Sequence, residues 1–390
     1  MLNLFARHKR QISNIGNLGI VSLISSLGVA SVDTVWALYL FQFLQDSSKV
    51  GFLSGALTAI SFFVTLALVP FIERMDEGKL YRWLLFIHAL LYGAFAINRS
   101  LLVLVVLGIV YVIVRTARIV SFGIIVRDES KITELSTNEG KVFTLLNVGW
   151  LMGPLLAGYF ADVFSISHVF VLAGIFAIMA FLMMLRIRLK KSRIVKVTHK
   201  NIIRNFLDYF RRWDRTGAYI IISGVEFWWT LIYIFVPIQM VKSGMSMSSV
   251  GFFLFLVVVP LLMFEYPAGR LAEKHGHKQF FIYSYLVLVM ISFFLFFARD
   301  IYIMLVFMFI ASFAIAFLEP LGESYFFKCI KKKDEDLYYP TFRTQGIISQ
   351  TLGKISIASV LLFLPFNYSM LLVSGFMLFL FIVALFLKKV

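Results

Sequence analysis

Ionisable side chains inside long apolar stretches are the residues of this sequence that could do chemistry. They are Asp33, Arg115, Arg118, Glu226, Glu265, Glu319, Glu323, Arg343 and Lys354. A charged group surrounded by hydrocarbon is costly, so such residues line a cavity or pair with one another. A carboxylate in low-dielectric surroundings also holds protons more tightly than in water, and can take up and release them near neutral pH. The set therefore predicts proton or ion handling in an apolar environment.

Asp33 is the leading candidate for a proton carrier. Arg115 is a candidate partner that holds Asp33 ionised in one conformation, because a nearby opposite charge favours the charged form. Protonation of Asp33 would break this pair and free the segments that carry it to rearrange. A static ion pair, which only satisfies two buried charges, is the alternative interpretation of the same residues.

A carboxylate among aromatic residues indicates a site for an organic cation. Glu226 is followed by three aromatic residues, the last of which is Trp229. A cation is attracted both by the carboxylate and by the face of an indole ring. Trp36 and Tyr39 follow Asp33 in the same apolar stretch and could add to this surface. The alternative is that the aromatic rings face lipid or anchor the membrane interface.

Glu319 and Glu323 lie four residues apart and share one face if their segment is helical. Pro320, between them, lacks a backbone N–H and is expected to disturb the helix. Lys354, in a later apolar stretch, is a candidate partner for one of the two carboxylates. For each residue, structural pairing and direct participation in function are both open interpretations.

The sequence lacks the patterns of metal and cofactor chemistry. Cys329 is the only cysteine, and the 6 histidines show no spacing typical of a metal site. No HExxH, GxSxG or nucleotide-binding loop is present in the sequence. We therefore expect no cofactor and no metal, and a membrane-embedded enzyme is a remote alternative.

The apolar stretches that position these residues are long enough to cross a membrane. The 390 residues are 60% hydrophobic and 15% charged, with a mean hydropathy of +0.88, whereas soluble domains carry roughly a quarter charged residues. A spanning helix needs roughly 20 mostly apolar residues, and barrel strands would be shorter and would alternate. The sequence thus predicts an all-α membrane protein with twelve transmembrane helices. The predicted spans are 14–44, 50–72, 80–98, 101–126, 141–161, 166–187, 217–241, 249–270, 278–298, 301–327, 341–364 and 368–387.

The basic residues are concentrated in alternate loops. The net charge is +16, and most of the 37 Lys and Arg fall on the side that holds both termini. The opposite loops hold only Lys49, Arg99, Lys242 and Arg299. Because basic residues favour the cytoplasmic side, both termini are predicted to be cytoplasmic, in a multi-pass protein of the cell membrane. Nucleic-acid binding would need the basic residues on one continuous surface, so it is not expected.

The longest loop predicts the domain boundary. An N-terminal six-helix bundle is expected at residues 1–187, a cytoplasmic linker at 188–216 and a C-terminal six-helix bundle at 217–390. Residues 201–213 of the linker place apolar side chains on one helical face and basic side chains on much of the rest. This pattern is typical of an amphipathic helix at the membrane surface, and a site for a regulatory protein is the alternative.

The two halves repeat at an offset of 200 residues. The triplet Val-Gly-Phe at 50–52 recurs at 250–252. Thr144 and Gly153 likewise correspond to Thr344 and Gly353. Several matches at one offset indicate duplication of a six-helix unit, and parallel repeats related by an axis along the membrane normal are a known plan of membrane proteins.

A segment after the eighth predicted helix combines small and charged residues. Its members are Gly269, Glu273, Lys274 and Gly276. Glycine permits the close approach of helices, and the charges can cap and latch neighbouring helix ends. The corresponding segment after the second helix contains Glu73 and Arg74, but Val69 stands at the position of the leading glycine.

The fifth predicted helix combines glycines with a proline. The residues are Gly149, Gly153, Pro154, Ala157 and Gly158. Small residues four apart let helices touch closely. Proline inside a helix removes one backbone hydrogen bond and permits a kink. This segment is therefore expected to make close helix contacts.

These segments resemble motifs of the major facilitator superfamily, over essentially the whole chain. Residues 269–278 are similar to its loop signature, and residues 149–158 to the G-x-x-x-G-P-x-x-G-G pattern of its proton antiporters. Arg115 and Arg118 resemble the start of its helix 4 signature. The resemblance implies two six-helix pseudo-repeats around a central cavity that is lined by helices 1, 4, 7 and 10. Each of these four predicted helices carries a charged residue within its span.

The resemblance implies secondary active transport by alternating access, and the helix 5 pattern implies proton antiport and export. The buried acids and aromatic residues then favour a small amphiphilic or cationic organic substrate, with protons and the lipid bilayer as the other partners. The alternative is proton-coupled uptake of a sugar, an organic anion or a peptide. The basic residues within the spans would suit an anion; they are Arg115, Arg118, Arg343 and Lys354. A transport-dead sensor is a remote alternative, and a monomer is expected.

Overall fold

The first six long helices follow one another with short connections. The computed structural model describes residues 2–72, 75–130, 134–189 and 202–388. Within these residues every regular element is helical. The helices of the first half are α1 (Leu2–Leu44), α2 (Ser47–Ile72), α3 (Glu77–Ile97), α4 (Leu101–Glu129), α5 (Leu135–Val163) and α6 (Ile166–Arg186).

The second half begins with a short helix and an interrupted one. Helix α7 (Ile202–Tyr209) precedes α8 (Trp213–Thr230), which continues through a π-helical turn (Leu231–Phe235) into α9 (Val236–Lys242). Such turns are rare and occur often at functional sites. The remaining helices are α10 (Met247–His275), α11 (His277–Phe297), α12 (Ile301–Cys329), α13 (Glu335–Leu361) and α14 (Phe366–Phe386).

The helices have the length and composition of membrane spans. Among the described residues, 11 helices are long and apolar enough to cross a membrane, with α8 and α9 counted as one (Trp213–Lys242). The twelfth long helix, α13, is more polar because it carries Arg343, Gln345, Gln350 and Lys354. Large apolar side chains such as Leu182 (53%) and Phe294 (56%) are exposed on the spans. An apolar exterior of this kind fits lipid, and the chain is a multi-pass membrane protein with the predicted twelve-helix fold.

Several helices extend beyond their predicted ends. Helix α5 was predicted at 141–161 and α13 at 341–364, but they begin at Leu135 and Glu335. The extra turns are polar, so they continue the helix past the apolar stretch that identified it. Helix α8 likewise begins at Trp213, inside the predicted linker.

The repeat is present in the helix bounds. Helices α3, α4 and α6 begin and end 200 residues before α11, α12 and α14, respectively. The duplication inferred from a few matched residues therefore extends through the six-helix unit.

The chain forms two compact units. Unit 1 comprises 1–39, 60–197 and 246–252, and unit 2 comprises 40–59, 198–245 and 253–390. In unit 1, α3 packs against α4 and α6; in unit 2, α11 packs against α12 and α14, and α8 against α12 and α13. A core cluster of unit 1 is built around Leu18, Val21 and Leu85. The division at residues 187 and 217 stays a prediction about domains.

Helix α7 is amphipathic, as predicted, and packs against the rest of unit 2 through Tyr209. The Tyr209 hydroxyl donates to the carbonyl oxygen of Arg215 at 2.9 Å, and burial raises the pKa of Tyr209, which keeps it a donor. The Arg215 guanidinium lies 4.1 Å from the centre of the Tyr338 ring. Leu207 and Phe210 are exposed on the same short segment. The placement of α7 at a membrane surface stays a prediction.

Candidate functional site

Asp33 and Arg115 form a two-pronged ion pair between α1 and α4. Arg115 Nη1 donates to Asp33 Oδ1 at 2.7 Å, and Nη2 donates to Oδ2 at 2.8 Å. The side chains are 18% and 30% exposed, respectively. Paired bonds of this geometry are among the stronger interactions of a carboxylate. The pairing predicted from the sequence is thus present, and both carboxylate oxygens of Asp33 are used in it.

Aromatic residues surround this pair. The Tyr111 hydroxyl accepts a bond from Arg115 Nη1 at 3.3 Å, and the Trp36 ring is stacked against the Tyr111 ring at 5.6 Å. Tyr39 is 1% exposed, and its hydroxyl donates to the carbonyl oxygen of Phe95 at 2.7 Å. Trp36 therefore belongs to the site, whereas Tyr39 is a packed core residue. Tyr111, which the sequence analysis missed, lies four residues before Arg115, on the same helical face.

Arg118 occupies a separate position on α4. It is 9% exposed, and its Nη1 donates to the hydroxyl of Ser25 on α1. Both Asp33 oxygens are taken by Arg115. The two arginines that the sequence placed in one helix therefore have different partners.

Two carboxylates of unit 2 accept hydrogen bonds from neutral donors. Gln350 Nε2 donates to Glu226 Oε2 at 2.8 Å, and Trp229 Nε1 donates to Glu319 Oε2 at 3.2 Å. Within the described part of the chain, neither carboxylate forms an ion pair. Glu226 also acts electrostatically on Glu319. The result is a pair of acidic groups on α8 and α12 that have no basic partner among the described residues.

The face of α8 that carries Glu226 continues into the π-helical turn. Glu226, Trp229 and Tyr233 are only partly buried, and the Trp229 and Tyr233 rings lie 5.8 Å apart. Phe227 (4% exposed) and Trp228 (0%) are buried in unit 2. Of the three aromatic residues after Glu226, only Trp229 can therefore contribute to a site beside the carboxylate, and the other two form core.

Glu323 and Lys354 have partners other than those expected. Glu323 accepts a bond from the Tyr339 hydroxyl, and its Oε1 lies 4.0 Å from Arg343 Nη1. This ion pair is exposed, and such pairs contribute little to stability. Lys354 Nζ donates to Thr58 Oγ1 at 2.7 Å, instead of pairing with Glu319 or Glu323. The expected partner was wrong because the register of α2 against α13 does not follow from either sequence segment alone.

The glycines of α5 lie directly against α1. A methyl group at Gly149 would lie 2.9 Å from the Leu23 carbonyl oxygen, and one at Gly153 would lie 2.5 Å from Ala30 Cβ. The Ser31 hydroxyl donates to the Gly153 carbonyl oxygen at 3.3 Å. These residues hold the helix that carries Asp33 close to α5.

The far end of α5 meets the start of α10 through a second pair of glycines. A methyl group at Gly158 would lie 2.9 Å from Gly251 Cα, and the carbonyl oxygen of Pro154 contacts the Gly251 position. In unit 2, Gly51 faces Ala358, with only 2.7 Å between an added Cβ and that of Ala358. The two contacts are related by the 200-residue offset, so the repeat builds the same small-residue contact twice.

The sequence profile of the Major Facilitator Superfamily matches residues 18–225 and 218–390. The chain belongs to the major facilitator superfamily. The family and the fold are those of secondary transporters rather than enzymes. No curated protein matches the sequence significantly.

Solved structures of superfamily transporters share the fold at low sequence identity. The nucleoside transporter NupG has a TM-score of 0.76 and 12% identity, over 95% of this chain and 98% of its own. A bacterial homologue of the human lysosomal transporter Spinster gives 0.77 and 11%, over 96% and 97%. A POT family transporter in complex with 5-aminolevulinic acid gives 0.78 and 11%, over 95% of both chains. At these identities the comparison establishes the fold alone.

The segment that resembles the loop signature of the superfamily lies at the end of α10. Gly276, between α10 and α11, has a φ of +87°, which favours glycine. Glu273 and Lys274, with Arg270, line an open depression of about 490 Å³. Gly269 has open space around it, so the expected close helix approach does not occur at that residue. The predicted counterparts, Glu73 and Arg74, lie outside the described residues.

A substitution on α5 tests the close packing of its glycine-containing segment against α1. We expect Gly149→Ala to lower the free energy of unfolding by about 1–3 kcal/mol, because the methyl group overlaps Ser26 and Leu23. Gly123→Ala is the matched control, since a methyl group there meets open space, and it should be neutral or stabilise by roughly 0.5–1 kcal/mol. Thermal unfolding of both purified variants makes the comparison. Equal destabilisation would contradict the packing argument.

Proposed function

We propose that this transporter exports small organic cations in exchange for protons, by alternating access. The observation that carries the proposal is the pair of carboxylates in unit 2, Glu226 and Glu319, which among the described residues accept bonds only from neutral donors. A proton-binding residue, Asp33, stands in an ion pair in unit 1. The substrate and the proton thereby have chemically distinct binding groups.

The substrate site would be formed by Glu226, Glu319 and Trp229. Glu226 and Glu319 interact electrostatically, and each makes the ionised form of the other less favourable. A bound cation would relieve that repulsion. The Trp229 N–H orients one carboxylate, while the indole face offers a cation–π surface. A compact ammonium with apolar substituents satisfies both features, which supports an amphiphilic cation as substrate.

The proton site would be Asp33. Protonation converts the carboxylate into a neutral acid and removes the charge that holds Arg115. The ion pair then no longer ties α1 to α4, and the relative stability of two conformations changes. A two-state element that responds to protonation is what coupling requires.

The direction of transport is supported by the α5 motif, from Gly149 to Gly158, which resembles that of proton antiporters. The concentration of Lys and Arg in alternate loops supports a cell membrane location with both termini in the cytoplasm.

The alternative, uptake of an organic anion, is favoured by the buried Arg118, which has no carboxylate partner among the described residues.

Substrate-induced proton flux in liposomes tests the proposal. With an imposed pH gradient, added organic cations should dissipate the gradient several-fold faster than in protein-free liposomes, because protons cross the membrane in the direction opposite to each exported cation. The measurement uses a pH-sensitive dye and a panel of cations, anions and sugars. A response to anions alone would overturn cation export and favour the uptake alternative. Transport that persists unchanged without a pH gradient would overturn the proton coupling.

A further inference from the structure

Arg118 is a buried guanidinium whose hydrogen bonds are incomplete. Its Nη1 donates to Ser25, whereas its Nε is buried and has no partner among the residues that the structure describes. A guanidinium has five N–H donors, and buried polar groups in proteins nearly always find partners. The buried Nε–H group is therefore the donor that a bound group would satisfy, because the surrounding side chains do not.

The charge of Arg118 is also not neutralised within the described part of unit 1. Asp33 uses both oxygens on Arg115. Ser25 and Asp33 lie about 12 Å apart along the axis of α1, at roughly 1.5 Å per residue. Glu129 lies about 16 Å further along α4 by the same rise, and accepts a bond from Asn14 at 3.0 Å. A buried, unpaired charge of this kind is strongly unfavourable unless an ion completes it.

Two further buried polar atoms lie in the field of Arg118. The Tyr92 hydroxyl and His88 Nε2 are buried and make no close hydrogen bond in the described chain, although the Tyr92 hydroxyl interacts with that of Tyr111. Arg118 acts electrostatically on both residues. His88 Nδ1 lies 3.3 Å from the Leu84 carbonyl oxygen, so the ring proton belongs on Nδ1 and Nε2 is an acceptor. Tyr92 is thus the second donor available to a bound anion, and His88 can accept from water beside it.

We propose that Arg118 and Tyr92 bind a small monovalent anion in unit 1, either chloride or the carboxylate of an organic acid. The anion neutralises the guanidinium and accepts from Arg118 Nε and from the Tyr92 hydroxyl. The single positive charge of Arg118 is matched by an anion with one negative charge. Sulfate and phosphate carry more negative charge, so the site disfavours them. The site shares no residue with the Asp33–Arg115 pair or with the carboxylates of unit 2, so loss of anion binding and loss of the proposed cation export can be told apart.

Thermal unfolding of the full chain in detergent tests this site. At constant ionic strength, sulfate, which the single charge of the site disfavours, is replaced stepwise by chloride in one arm and by acetate in the other. A ligand that binds only the folded state raises the unfolding temperature in a saturable way, and we expect a rise of several degrees. The arm that shows it identifies the anion. The same unfolding temperature in all three salts would overturn the proposal and leave water as the occupant.

Two variants make the test specific. Arg118→Gln should remove the anion-dependent rise, and in sulfate it should unfold no lower than the unmodified chain, because an uncompensated charge is gone. Arg127→Gln, at the exposed end of α4 (53% side-chain exposure), should keep the rise. If Arg118→Gln does not fold, Tyr92→Phe should weaken the apparent anion affinity several-fold. A rise that persists in Arg118→Gln, or is unchanged in Tyr92→Phe, would overturn the site.

Discussion

Asp33→Asn is expected to abolish proton-driven transport while the substrate still binds. The amide keeps the size of the carboxylate and can still accept a bond from Arg115, but it can neither carry a charge nor bind a proton. We expect gradient-driven flux to fall by roughly 100-fold or more, the scale at which a positioned proton-transfer group contributes. Cation binding, measured by calorimetry on the purified protein, should change little because Glu226 and Glu319 are intact.

A double variant separates the proton-carrier mechanism from a static ion pair. Asp33→Asn alone leaves the partly buried Arg115 without its counter-charge, which destabilises the fold by up to about 3–5 kcal/mol. Adding Arg115→Gln removes that unpaired charge. If the pair only stabilises unit 1, the double variant should regain transport together with its unfolding temperature. If Asp33 carries the proton, stability should return and the coupled flux should stay absent.

Asp300→Asn is the matched control for the loss of one carboxylate. Asp300 caps α12 by accepting from the backbone N–H groups of Tyr302 and Ile303. Asparagine caps a helix about as well as aspartate, so the fold should be unaffected. Coupled flux should remain near that of the unmodified chain. An equal loss of flux in both variants would show that net charge, not Asp33, controls the rate.

The sequence predicted the Asp33–Arg115 pair because charges in apolar helices must find partners and few candidates exist. It also predicted the helices, since continuous apolar stretches mark the part of each helix that crosses the membrane. The polar extensions of α5 and α13 were missed for the same reason, because the apolar signal stops before the helix does.

The partners of Lys354 and Tyr39 could not be predicted in this way. Which residue faces which depends on the rotation and register of packed helices, and a hydropathy pattern fixes neither. Lys354 meets Thr58, and Tyr39 meets a backbone carbonyl of α3. The 200-residue repeat gave more information, because the equivalent positions Gly51 and Gly251 both lie in close contacts with small residues. The repeat predicted that these positions are equivalent, but only the packed helices show what each one touches.

Glu226→Gln and Glu319→Gln are each expected to weaken cation binding by roughly 10- to 100-fold, because each removes one of the two carboxylates that would attract the cation. Each amide has nearly the size of the carboxylate and can still accept the bond from Gln350 or Trp229. Packing should therefore persist, and proton binding at Asp33 should be unaffected. Calorimetric titration with the most active cation of the panel measures the cation affinity of each variant.

Glu323→Gln is the matched control for the cation site. Glu323 lies on the same helix as Glu319, but its carboxylate already contacts Tyr339 and Arg343. Removing the charge of Glu323 should therefore change the cation affinity less than about threefold, which is the scale of an exposed ion pair. The double variant Glu226→Gln with Glu319→Gln should bind no cation measurably, because both carboxylates assigned to the site are gone. If it binds as well as Glu323→Gln does, Glu226 and Glu319 do not recognise the substrate. The buried arginines of unit 1 would then be the better guide to what the transporter carries.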